Sequence, residues 1–319
     1  MVSASQPRPR VVFCGTPAFA VPCLIATSDV ADVVGVVCQP DKPAGRGLEL
    51  TEPPVKREAR VRGWPVHQPT KMRDGSFAAW LREQRVDCAV VVAYGRILTA
   101  DALSAPRLGC VNVHASLLPR HRGAAPIHWS ILRGDDRTGV CLMQMDEGLD
   151  TGPVLSARET VINIDETSDQ LAERLSALGA TILREELPRF AAGELVATPQ
   201  DPAGATLAPL LTKDMARIDW KRSAREIHDQ VRGLRPWPGA STHIGARRLM
   251  VQRTTIADAP ALIAGAPGEV VSVARDRMWI ATGRGAIALL GVQLEGKKPV
   301  GVREYLAGHP VRVGTVLGE

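Results

Sequence analysis

Apolar residues fall along this chain in short continuous runs: VVFC at 11–14, VVGVVC at 33–38, CAVVVA at 88–93, CVNVH at 110–114 and TGVCLMQM at 138–145. Segments with helical spacing separate them, at 18–28, 55–62, 77–84 and 126–133, and a short strand is expected near Val66. Unbroken apolar runs read as strands covered on both faces, so the alternation predicts an α/β domain on a doubly wound, Rossmann-like parallel sheet. A strand at 155–161 and an amphipathic helix from Thr167 or Ser168 to about Phe190 close this part. Residues 191–209 are small, polar and proline-bearing, which reads as a linker. The pattern then changes. Ser223 and Glu226 fit a capping box, the helix behind them is stopped by Pro236, and short strands follow at 241–244, 248–253, 268–273, 278–282 and 287–292. That spacing predicts a small β-barrel, with OB-like and SH3-like topologies both compatible. The expected division is 1–192, a linker at 193–211, and a second domain at 212–319.

Polar side chains interrupt the apolar pattern at one place in particular. Asn112 and His114 occupy alternate positions of one strand and so project from one face. A turn-rich loop with Ser116, Pro119, Arg120, Arg122, Gly123 and Pro126 follows, and Asp150 stands on the exit of the next strand. Ligands of open α/β sheets bind outside the carboxyl ends of strands, where this group is expected to lie. Gly15 follows the first strand, but the G-x-G-x-x-G fingerprint is absent, which disfavours a nicotinamide dehydrogenase. The connection 39–54, QPDKPAGRGLELTEPP, is longer than α/β connections usually are and is expected to be irregular and functional.

Composition narrows the class. The 319 residues suit two domains, no apolar run reaches the ~18 residues of a membrane helix, and MVSASQPRPR lacks the apolar segment of a secretory signal, so a cytoplasmic protein is expected. The six cysteines all lie before residue 142 with no C-x-x-C pair, which reads as core packing in a reducing compartment, without a metal site. Charge is uneven. Residues 1–212 carry 22 Lys and Arg against 24 Asp and Glu, whereas 213–319 carry 17 against 10. A basic second domain points to a polyanionic partner.

The segments NVHASLLPRHRGAAPIHWSI (112–131) and TGVCLMQMDEGLDTGPVL (138–155) resemble the signature of the folate-dependent formyltransferases. FCGTPAFAVPCL, QPDKPAGRG, VVAYGRIL, LTKDMARIDW and RPWPG extend the resemblance, in order, to the branch of that family that acts on methionyl-tRNA. The resemblance implies that the barrel is OB-like. It also implies formyl transfer from 10-formyltetrahydrofolate to the α-amino group of methionine esterified to initiator tRNA, without a metal, by a monomer. Asn112, His114 and Asp150 take the catalytic positions: Asn112 as oxyanion donor, His114 as a charged donor if protonated, and Asp150 favouring the imidazolium or taking the amine proton through a water. Ser116, Leu117, Leu118 and Pro119 match the folate-binding segment, and Arg96, Ile97 and Leu98 the turn that lines the pterin pocket. Arg120 and Arg122 are placed to meet phosphate or glutamate, and Phe19 to wall the methionine side chain. Loop 39–54 corresponds to the one inserted at the tRNA acceptor end, with Arg46 and Lys42 as contacts and high mobility without tRNA. Lys213, Arg247 and Arg248 are the expected tRNA contacts of the second domain. The alternatives are a formyltransferase acting on a small amine, such as glycinamide ribonucleotide or an amino sugar nucleotide, and a non-catalytic tRNA-binding protein.

Overall fold

The structure is a computed structural model and describes residues 8–44, 49–257 and 265–318. Contacts divide the chain into two compact units: residues 1–126, 138–160 and 172–208, and residues 127–137, 161–171 and 209–319.

The first unit is laid down by β1 (Arg10–Gly15), α1 (Val21–Val30), β2 (Asp32–Val37), β3 (Lys42–Ala44), β4 (Glu49–Thr51), α2 (Pro54–Val61), β5 (Val66–His67), α3 (Ser76–Glu83), β6 (Cys88–Val92), α4 (Ala100–Leu103) and β7 (Cys110–His114). After α5 (Pro126–Leu132) come β8 (Arg137–Gln144), β9 (Val154–Val161) and the long α6 (Ser168–Ala191). Seven strands form one sheet in the order β5-β2-β1-β6-β7-β8-β9. The apolar runs do become its buried centre, with Val11, Val12, Phe13, Val90, Val92 and Val111 fully enclosed. Helix α6 seats close on β7 because residue 179 is glycine; a Cβ there would stand 2.9 Å from Val113 Cγ1.

Two expectations need correcting. The sheet is parallel only as far as β7. β8 runs antiparallel to it, with Val111 opposite Gln144 and His114 opposite Cys141. The doubly wound sheet is therefore mixed at one edge. The connection 39–54 is not wholly irregular either, since β3 and β4 pair as an antiparallel ribbon, Lys42 opposite Thr51 and Ala44 opposite Glu49. Arg46 lies outside the described residues.

The second unit carries α7 (Ala224–Gly233), β10 (Ala240–Ile244), β11 (Arg247–Thr255), β12 (Val270–Val273), β13 (Met278–Ala281), β14 (Ala286–Leu294), β15 (Val300–Gly301) and α8 (Val302–Gly308). Its sheet runs β10-β11-β14-β13-β12, with β15 on β14. Bridges from Leu317 to Ile244 and from Val316 to Glu269 join the two edges and close the OB-like barrel. Trp220, Ile227, Leu249, Ile280, Leu289 and Tyr305 fill it. Residues 161–171 group with this unit for a physical reason. Buried Arg232 donates to the carbonyls of Asn163 and Glu166 and pairs with buried Asp229, while His228 sits between Thr254 Oγ1 and the Ile164 carbonyl.

Candidate active site

The site is assembled at the carboxyl end of β7. Asn112 is half-buried and His114 is 5 % exposed, while Val113 between them is buried against the other face of the sheet. No hydrogen bond among the described residues engages the Asn112 side-chain amide, so both its N–H groups remain to be given.

His114 is fixed by one contact that settles its tautomer. Its Nε2 lies 3.0 Å from the His121 carbonyl oxygen, which can only accept, so Nε2 carries the proton. Nδ1 then faces Asp150 Oδ2 at 3.7 Å. Burial is the largest influence on this imidazole and outweighs the raising effects of the Asp150 carboxylate and the His121 carbonyl, so its pKa is lowered from 6.5. The charged form, expected only if His114 is protonated, is disfavoured by that burial. At neutral pH, His114 presents a lone pair at Nδ1 beside a carboxylate, two acceptors converging on one gap.

Asp150 reaches this gap by an unusual path. Met145 N–H still bonds the Cys110 carbonyl, at the start of β7, and within five residues the chain has returned to the other end of that strand. The Asp150 carboxylate accepts from Gly123 N–H at 2.8 Å, and its backbone is left-handed, φ +52°. His121 and Ala93 are likewise at φ +60° and +47°, conformations that non-glycine residues keep only when their surroundings impose them.

The other expected residues are dispersed. Ser116 is fully buried and donates to the Arg120 carbonyl at 2.7 Å, which shapes the loop and leaves its hydroxyl hydrogen inside it. Leu117, Leu118 and Pro119 line a cavity of about 400 Å³ with Cys141, β9 and residues 198–201. Of the turn 96–98, Ile97 is 80 % exposed, whereas Leu98 is a core residue and Arg96 donates to the Thr70 carbonyl. Phe19 is half-buried, its carbonyl accepting from Ser176 Oγ. Lys42 reaches Gln39 Oε1 at 2.7 Å, and Lys213, Arg247 and Arg248 are exposed on the second unit, Arg248 donating to Ser241 Oγ.

Two residues at the site were not singled out from the sequence, and a third is used otherwise than expected. Gln39 donates from its amide to the Tyr94 and Gly95 carbonyls, and its N–H to Thr16 Oγ1, so it ties the start of loop 39–54 to the turn after β6. Gln200 lies in the stretch expected as a linker, yet it donates to the carbonyls of Asp150 and Gly152. Arg122, expected to meet an anion, directs its guanidinium to Gln200 Oε1.

Comparison with known proteins bears on the family and the fold. The formyl transferase family matches residues 10–187, and the formyl transferase C-terminal domain matches residues 210–310. A methionyl-tRNA formyltransferase of Sorangium cellulosum is 52% identical over 309 residues, 97% of this chain and 99% of that protein. One of Myxococcus xanthus is 50% identical over 308 residues, 97% of each. Among solved structures, HypX of Aquifex aeolicus superposes with a TM-score of 0.64 at 16% identity, covering 97% of this chain and 49% of that one. An N-formyltransferase of Helicobacter canadensis, solved with folinic acid and dTDP-3-aminofucose, gives 0.64 at 16% identity over 88% of this chain and 98% of that one. At those identities the structures speak for the fold alone, and the family rests on the matched residues. With its matched span running through β7, His114 and Asp150, the chain belongs to the formyl transferase family.

Proposed function

We propose that this chain moves the formyl group of 10-formyltetrahydrofolate onto the α-amino group of methionyl-initiator-tRNA. The observation that carries the reading is the gap between His114 Nδ1 and the Asp150 carboxylate, 3.7 Å apart, beside an Asn112 amide whose donors are unengaged. Two acceptors and one neutral donor suit an amine attacking a formyl carbon. The amine N–H points between Nδ1 and Oδ2, the new N–C bond forms, and the carbonyl oxygen, gaining charge, meets the Asn112 N–H. The proton passes to the acceptor pair, the bond from the formyl carbon to the folate N10 breaks, and N10 recovers a proton. An α-amino group titrates near ~7.7–8.0, so much of it is already neutral and a strong base is unnecessary. Most of the catalysis is positioning.

The donor is a substrate here and leaves with each turnover. Exposed Ile97 and Leu149 and the 117–119 segment are the apolar surfaces offered to it. The excess of Lys and Arg in residues 213–319 is the feature offered to tRNA, and the relatives named for methionyl-tRNA match over both parts of the chain. The reading makes this a monomeric enzyme of the cytoplasm; no helix among the described residues is long and apolar enough to cross a membrane.

The deciding assay supplies 10-formyltetrahydrofolate with methionyl-initiator-tRNA, methionyl-elongator-tRNA or glycinamide ribonucleotide as acceptor. Formylation of the initiator alone is expected. Formylation of the small amine in preference to either tRNA would move the chain to another branch of the family.

A further inference from the structure

Asp150 holds a left-handed backbone conformation, φ +52°, that is uncommon outside glycine, and contacts from outside the turn 145–152 support it. The carboxylate's bond to Gly123 N–H at 2.8 Å orients the side chain but leaves the peptide free to flip. The peptide is held from another direction. The Gln200 side-chain amide donates one nitrogen to two carbonyls, Asp150 O at 2.9 Å and Gly152 O at 2.7 Å, and so spans the turn on either side of Thr151. An amide nitrogen has two hydrogens, and both are used.

Gln200 is itself oriented. Arg122 Nε and Nη2 donate to its Oε1 at 3.0 and 2.8 Å, a two-pronged contact that fixes which end of the amide is oxygen. Arg122 in turn is anchored by its main chain, its N–H to the Thr206 carbonyl at 2.8 Å and its carbonyl to Ala208 N–H at 2.7 Å. On the other flank, Thr198 exchanges two main-chain hydrogen bonds with Val154, each 2.9 Å. The strap 198–208 is thus stitched to the loop after β7 and to β9, and Gln200 stands between the stitches.

We infer that Gln200, oriented by Arg122, is a positioning residue for Asp150: it holds the left-handed turn that places the carboxylate against His114. Among the described residues Gln200 makes no hydrogen bond to His114; it borders the 117–119 cavity, and the route by which it is inferred to act on the reaction is the Asp150 turn. The inference rests on the proposed formyl transfer for its kinetic consequence but not for its structural one. Shortening or removing the amide frees the Asp150 and Gly152 carbonyls. Gln200→Glu keeps the contact with Arg122 but turns an acceptor on both carbonyls, so it is expected to behave like Gln200→Ala.

The experiment is a double-mutant cycle joined to a crystal structure. Wild type, Gln200→Ala, Asp150→Ala and the double variant are compared for kcat and for KM of both substrates. Gln200→Ala is expected to lose about 10²-fold in kcat, the cost of roughly 1 Å of misplacement, with each KM within about 3-fold. In the Asp150→Ala background the same change should cost nothing further, because the residue it acts through is gone. Losses that multiply in the double variant, or a wild-type kcat for Gln200→Ala, would overturn the inference. If the wild-type chain transfers no formyl group, it is the proposed function that fails. The crystal structure of Gln200→Ala then decides the positioning: a displaced Asp150 upholds it, and an unchanged φ and His114 separation overturns it.

Discussion

A buried imidazole whose Nε2–H is committed to a carbonyl has one nitrogen left for chemistry. For His114 that is Nδ1, and its charge follows from burial more than from its carboxylate neighbour. Activity that needs the neutral form therefore persists below 6.5, the ordinary histidine value, and is lost as pH falls through the lowered pKa. The Asp150 carboxylate raises that pKa, so Asp150→Asn, at whatever reduced kcat remains, should shift this acid limb further down in pH. A pH profile of kcat checks the direction; a limb moving upward would assign the acceptor role elsewhere. Asn112→Ala removes the unengaged donor and is expected to cost about 10²–10³ in kcat with little change in KM. At this scale the sequence was informative about identity and silent about state. The alternation in CVNVH put Asn112 and His114 on one face, but protonation depends on how deeply the strand is enclosed. Gln200 was invisible because a lone amide in PQDPAG has no pattern, and its role exists only through partners 48, 50 and 78 residues away.

Elements were legible where one residue type dictates the local backbone. Ser223 and Glu226 do form the reciprocal capping box that starts α7, and the apolar runs are the central strands. What composition could not show was direction and pairing. β8 reads like any other buried strand, yet it runs against β7, and only the sheet as a whole decides that. The β3–β4 ribbon has no alternation to announce it, since Lys42, Pro43, Glu49 and Thr51 are not strand formers as a group. The hairpin between β8 and β9 is sensitive to change at one glycine. Gly152 has no room for a side chain: a Cβ would fall 1.9 Å from the Gln144 carbonyl oxygen, which is main chain and cannot swing aside. Gly152→Ala should therefore displace the turn that carries Asp150, lowering kcat by about 10²-fold and the melting temperature as well. Thermal unfolding and steady-state rates, taken together, test this; a variant that melts and turns over as wild type does would mean the strand yields more readily than its contacts indicate.

Over the whole molecule, charge and chemistry sit in different stretches of sequence. Residues 213–319 hold the surplus of Lys and Arg, and Asn112, His114 and Asp150 all precede them. Exposed Arg247 and Arg248 are the sharpest test of that division. Replacing both with Ala should raise KM for methionyl-tRNA and flatten its dependence on salt by about 1 in the log–log slope for each phosphate no longer neutralised, leaving kcat at saturating tRNA near wild type. An unchanged slope would put the tRNA footprint on other residues. The cysteines divide the chain in the same place. All six are buried in the first unit, where burial pushes the thiols of Cys23, Cys88 and Cys110 up to about 12 and those of Cys38 and Cys141 to about 11. The second unit has none. A thiol reagent added to the intact chain thus finds nothing to modify until the first unit opens, and its reaction rate becomes a stopwatch for that opening, blind to whatever the barrel does meanwhile.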